Sequence, residues 1–122
     1  MATIKSYTDI EQSRKLVEIL PLESADMKWF FWKEEIDAPK TPTFGYSKTA
    51  AESYKDTEAV YLPCWSFASL LGVLPDYTLQ TNTDGKVFVI CESKRPMISD
   101  AYDNPVDACY ELILDLHEQK LL

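Results

Sequence analysis

Met27-Lys28-Trp29-Phe30-Phe31-Trp32-Lys33-Glu34-Glu35 sets four consecutive aromatic residues between charged flanks. As a strand it sends Met27, Trp29 and Phe31 to one face and Phe30 and Trp32 to the other. A strand with one wet face alternates apolar and polar residues, and this one does not. Both faces therefore need cover. Downstream, Asp37-Ala38-Pro39-Lys40-Thr41-Pro42 breaks the strand. Thr43-Phe44-Gly45-Tyr46-Ser47 then reads as a short return strand, giving a hairpin with a loop of roughly six to eight residues. Thr49-Ala50-Ala51-Glu52 suits a short helix, but Tyr54 is its one large apolar residue, and residues 37–60 read as the most mobile segment.

The flanks supply the rest of the framework. A helix is expected from about Asp9 to Leu20, with Thr8 and Glu11 as a capping box and Pro21 as its stop. Ile10, Leu16, Val17 and Leu20 share one arc, and Glu11, Arg14, Lys15 and Glu18 take the other side. Pro63 to Leu74 reads as a second, nearly all-apolar helix with Pro63 at its first turn and a stripe of small residues, Ser66, Ser69 and Gly72. Tyr77–Thr81 and Lys86–Cys91 flank Asp84-Gly85, a hairpin signal. A loop with Arg95-Pro96 leads to a last helix from about Pro105 to Lys120, capped by Asp103 or Asn104. Val106, Cys109, Tyr110, Leu112, Ile113 and Leu116 form its apolar face. The expected fold is a single α+β domain spanning 1–122, a small largely antiparallel sheet of two hairpins packed against two or three helices.

Composition narrows the function. The 122 residues carry 12 Lys and Arg against 20 Asp and Glu, a formal net charge of −8. That sign disfavours nucleic acid, whose phosphates are neutralised by basic side chains, and a polybasic membrane patch. No apolar run approaches the roughly 20 residues that cross a bilayer, and Met1-Ala2-Thr3-Ile4-Lys5-Ser6 lacks a signal-peptide core. Three widely spaced cysteines, an odd number, suit free thiols in a reducing compartment. A cytoplasmic protein is expected.

The candidate sites are few. Asp107, Glu111, Asp115 and Glu118 line one side of the last helix, but a helix cannot wrap all its carboxylates around one cation, and no metal site is expected. Cys64, placed in a helical first turn, has thiolate-favouring surroundings, with His117 as the one imidazole. One Cys and one His far apart are weak grounds for catalysis, and no phosphate loop or nucleophile elbow occurs. No catalytic residue or cofactor is assigned. Cys64, Trp65, Ser66 and Tyr110 remain a possible pocket for a small molecule or a minor hydrolase. The aromatic residues are more informative. Trp29, Phe30, Phe31 and Trp32, with Phe44 and Tyr46, either pack a core or present a sticky sheet face. The functional expectation is a non-enzymatic interaction protein that self-associates as a homodimer or binds a protein partner through that face.

Three stretches are distinctive: Ile19-Leu20-Pro21-Leu22-Glu23-Ser24-Ala25-Asp26-Met27, Pro63-Cys64-Trp65-Ser66, and Tyr102-Asp103-Asn104-Pro105-Val106-Asp107-Ala108-Cys109-Tyr110-Glu111. They resemble a family of small uncharacterised bacterial proteins found in phage-like or mobile elements, and the likeness continues to Leu112-Ile113-Leu114-Asp115-Leu116-His117-Glu118. The resemblance implies a bacterial or phage origin and a cytoplasmic setting. It brings no activity and no catalytic residue. The Trp29–Trp32 cluster and the 37–60 segment look particular to this chain.

Overall fold

The structure, a computed structural model, describes residues 5–38, 40–92 and 96–122. Met1, Ala2, Thr3 and Ile4 of the N-terminal stretch, Pro39 of the strand breaker and Arg95 of the later loop lie outside those residues. The chain order is α1 (Ile10–Val17), β1 (Met27–Trp32), β2 (Thr43–Phe44), α2 (Lys48–Ser53), β3 (Ala59–Cys64), α3 (Phe67–Val73), β4 (Tyr77–Thr81), β5 (Val87–Cys91), β6 (Met97–Ile98) and α4 (Pro105–Glu118). The fold is α+β. Its strands are divided between two antiparallel three-stranded sheets, in the orders β2-β1-β3 and β4-β5-β6.

α1 has a capping box, one residue later than expected. Asp9 accepts from the Gln12 amide, and the Gln12 side chain accepts from the Asp9 amide. Thr8 is instead fully buried, where its hydroxyl bonds Ser13 and accepts from the Trp65 amide. α4 starts as expected, with Asn104 as its cap and Pro105 in its first turn.

The second expected helix is the main correction. Residues 59–64 are strand β3, which pairs with β1 along its whole length, from Met27 opposite Cys64 to Trp32 opposite Ala59. Pro63 sits inside that strand, not at a helix start, which is permitted because β3 is an edge and needs no outward N–H there. α3 begins only after Ser66, whose hydroxyl accepts from the Ser69 amide. It is also less buried than its composition suggests, with Leu70 its single fully buried residue. β2 meets β1 only at Met27–Phe44 and Lys28–Thr43, so the expected hairpin is a brief clasp across residues 29–42.

Two apolar clusters hold the molecule. The larger joins Leu16 and Leu20, Trp65, Leu70 and Leu74, Val89 and Cys91, and the apolar side of α4 from Val106 to Leu116. The smaller joins Met27, Trp29, Phe31 and Cys64 with Tyr7, Ile10, Val60 and Leu62. α1 serves both, through Ile10 at one end and Leu16 at the other. Burial of apolar surface at about 25 cal/mol per Å² is the driving term for each.

Candidate functional site: the outer face of the first sheet

Alternation along β1 separates its aromatic residues into two populations. Trp29 and Phe31 are 5% and 4% exposed, packed under Tyr7 and Ile10. Tyr7 meets the Trp29 indole edge-on at 5.8 Å. These two are core residues, which corrects their placement on a binding surface. Phe30 and Trp32 remain 40% and 41% exposed on the other side.

That outer side is built by three elements. Tyr61 of β3 stands opposite Phe30, and its hydroxyl accepts from the Ser47 amide at the cap of α2. The bond brings α2 and the following Tyr54 over the sheet. Tyr54 and Tyr61 stack at 5.8 Å with an interplanar angle of 11°. Phe30 points its ring against Tyr54 at 5.0 Å, Tyr61 at 6.0 Å and Trp32 at 5.8 Å, all in edge geometries that suit the ring quadrupoles. Tyr46 tilts onto Tyr61 at 5.5 Å, and burial together with the Tyr61 and Glu52 oxygens keeps its phenol protonated above the usual range. Phe44, paired with Met27, falls on the opposite side of the sheet from this cluster and is 77% exposed.

Between the rings lies a cleft of about 470 Å³, lined by Lys28, Phe30, Thr41, Thr43, Ser47, Ala50, Tyr54 and Tyr61. Lys28 is the only charged side chain in that lining, and its ammonium sits 5.6 Å from the Tyr61 ring centre. Residues 28–61, which hold the cluster, carry five lysines (Lys28, Lys33, Lys40, Lys48, Lys55) against six carboxylates (Glu34, Glu35, Asp37, Glu52, Asp56, Glu58). Most of the net charge of −8 therefore lies elsewhere in the chain. Tyr54 and Tyr61 are visible as aromatic residues in the sequence, but residues 59–62 carry no local strand signal ahead of the helix expected from Pro63, and this conceals their role.

The second candidate group does not assemble into a pocket. Cys64 and Trp65 are fully buried. The Trp65 indole donates to Ser24 Oγ, and Ser66 donates through both its amide and its hydroxyl to the Asp26 carboxylate. Tyr110 lines a different cleft, with Lys5, Asp107 and Glu111. Cys64 belongs to a strand rather than a helical turn, and burial pushes its thiol pKa up. Burial, with the nearby Cys91, pushes Cys109 to about 12. His117 is exposed on the last turn of α4. No cysteine here is poised as a nucleophile.

Among the described residues, no group of three or more His, Cys, Asp or Glu side chains is placed to hold a metal ion. No helix among them is long and apolar enough to cross a membrane. No protein-family model, curated protein or solved structure matches the chain.

Proposed function

We propose that the chain is a non-enzymatic interaction protein that docks a protein segment on the outer face of its first sheet, around Phe30, Trp32, Tyr54 and Tyr61. The observation that carries this reading is the half-exposed ring cluster around one cleft, with Lys28 as its single charge. Aromatic side chains provide large contact area at little conformational cost, and Ser and Thr hydroxyls at the rim offer adaptable hydrogen bonds. Tyr and Trp are also the residues on which binding energy concentrates. A groove lined by a lysine and no carboxylate suits a segment carrying apolar anchors and a carboxylate.

A displayed library of random peptides, selected on the wild-type chain, tests the reading. The expected result is enrichment of acidic, apolar sequences that fail to bind a folded Phe30→Ser, Trp32→Ser double variant. Enrichment of the same peptides on both proteins would sink it.

A further inference from the structure

The second sheet carries an edge that nothing among the described residues protects. Exposed edge strands are usually blunted by shortness, charge, proline or a covering segment. β2 and β6 have two residues each, and β3 contains Pro63 and is continued by the N-terminal segment, where the Thr8 amide donates to Trp65 O. β4 has none of these devices. It runs five residues, Tyr77-Thr78-Leu79-Gln80-Thr81, without charge or proline, and all five are exposed.

The direction of its free groups follows from the ladder. Asn82 N donates to Lys86 O at one end of the β4–β5 pair, and Glu92 N donates to Asp76 O at the other. Hydrogen-bonded and non-bonded pairs alternate in an antiparallel ladder. Thr78 and Gln80 therefore turn their amides and carbonyls toward β5, and Tyr77, Leu79 and Thr81 turn theirs outward. Among the described residues, nothing pairs with these outward groups. The side chains are unfinished too. Leu79 stands opposite buried Val89 and Tyr77 opposite buried Cys91, on the face that α4 covers over β5 and β6. That helix layer does not extend over β4, so Leu79 and Tyr77 stay exposed on an otherwise core-facing side.

We propose that β4 is a self-pairing edge, joining two copies of the chain in an antiparallel β4–β4 ladder about a two-fold axis at Leu79. The strand is its own complement. Leu79 meets Leu79 of the other copy, Tyr77 meets Thr81, and about six backbone hydrogen bonds form from the three outward residues. No like charges fall opposite one another, because Asp76 meets Asn82. The acidic side of α4 is kept at the far edge, where Glu111 accepts from the Asp100 amide next to β6. The result is a continuous six-stranded sheet in which the paired Leu79 and Tyr77 side chains fill the space between the two α4 layers. This edge is separate from the aromatic face of the first sheet, so either assignment stands without the other.

Sedimentation equilibrium of the full chain, across a concentration series, tests the ladder. Wild type is expected to approach twice the monomer mass as concentration rises, with Tyr77, Leu79 and Thr81 amides gaining exchange protection together. Leu79→Lys places two ammonium groups at the axis and is expected to weaken association by about tenfold or more, with thermal stability unchanged at dilutions where both proteins are monomeric. Leu79→Pro removes only an outward N–H and is expected to do the same. A monomer at every concentration would overturn the proposal, as would undiminished association of Leu79→Lys. Loss of association through Trp32→Ser alone would also overturn it, by moving the contact to the aromatic face.

Discussion

At the scale of single residues, two tryptophans three positions apart have opposite fates. Trp29 is sealed beneath Tyr7 and Ile10, and Trp32 lies half open against Phe30. Truncating a buried aromatic removes its transfer energy and leaves a cavity, so Trp29→Ala should cost about 3–5 kcal/mol. Trp32→Ala should cost under about 1 kcal/mol, as expected for a surface position. Urea unfolding of both variants checks this, and equal losses would contradict the assignment of faces. The cysteines make a second case. Burial holds all three thiols in the protonated form at neutral pH, since the pKa values of Cys64 and Cys91 are raised and that of Cys109 reaches about 12. Iodoacetamide should therefore label none of them in the native protein and all three in urea. Rapid native labelling of Cys64 would reopen the nucleophile reading.

At the scale of elements, what the sequence discloses depends on whether the signal is local. Asn104-Pro105 marks the start of α4 unambiguously, because a capping side chain followed by a residue without an N–H has one economical use. Asp84-Gly85 marks the β4–β5 turn for a similar reason. Gly85 adopts φ 77°, in the left-handed region that glycine tolerates. The same proline logic misleads at Pro63, where only the long-range pairing with Lys28 decides that the residue lies in a strand. That error hid half of the aromatic face, since Tyr61 lies on β3 and Tyr54 is positioned by it. The capping box slipped by one residue for a comparable reason: Thr8 is drawn into the core by Trp65 and Ser13, leaving Asp9 to cap α1. The cap of α4 gives a prediction at this scale. Asn104 Oδ1 accepts from the Asp107 amide at 2.9 Å. Asn104→Ala should lower unfolding free energy by about 1 kcal/mol, measured by urea denaturation. No measurable change would mean that Pro105 alone fixes the helix start.

At the scale of the whole molecule, Lys5 ties the N-terminal segment to α4 through Asp107 Oδ1 at 2.8 Å. Burial opposes the Asp107 charge, but hydrogen bonds from Lys5, Asn104 and Gln12 outweigh it and leave the carboxyl pKa below its usual 3.8. A group lowered in the folded state contributes stability above its unfolded pKa and loses it as pH falls through the folded value. Lys5 behaves inversely. Its pKa is raised above 10.5 by Asp107 and Asp9 despite burial, so its contribution holds below that value and fades as pH rises through the folded pKa. Stability should thus decline below the ordinary carboxylate range, and Asp107→Asn should flatten that decline while lowering stability at neutral pH. Parallel urea-midpoint curves for the two proteins would contradict the coupling. The fold places apolar groups on both sides of its first sheet, packs Ile10 of α1 against Trp29 and Phe31 on one side and leaves the other as a ring-lined groove. Its use as a binding face is tested most directly by titrating a selected peptide against wild type and folded Trp32→Ser. The expected result is a loss of roughly 30-fold or more in affinity, the mark of a central aromatic anchor. An affinity unchanged within about twofold would contradict it.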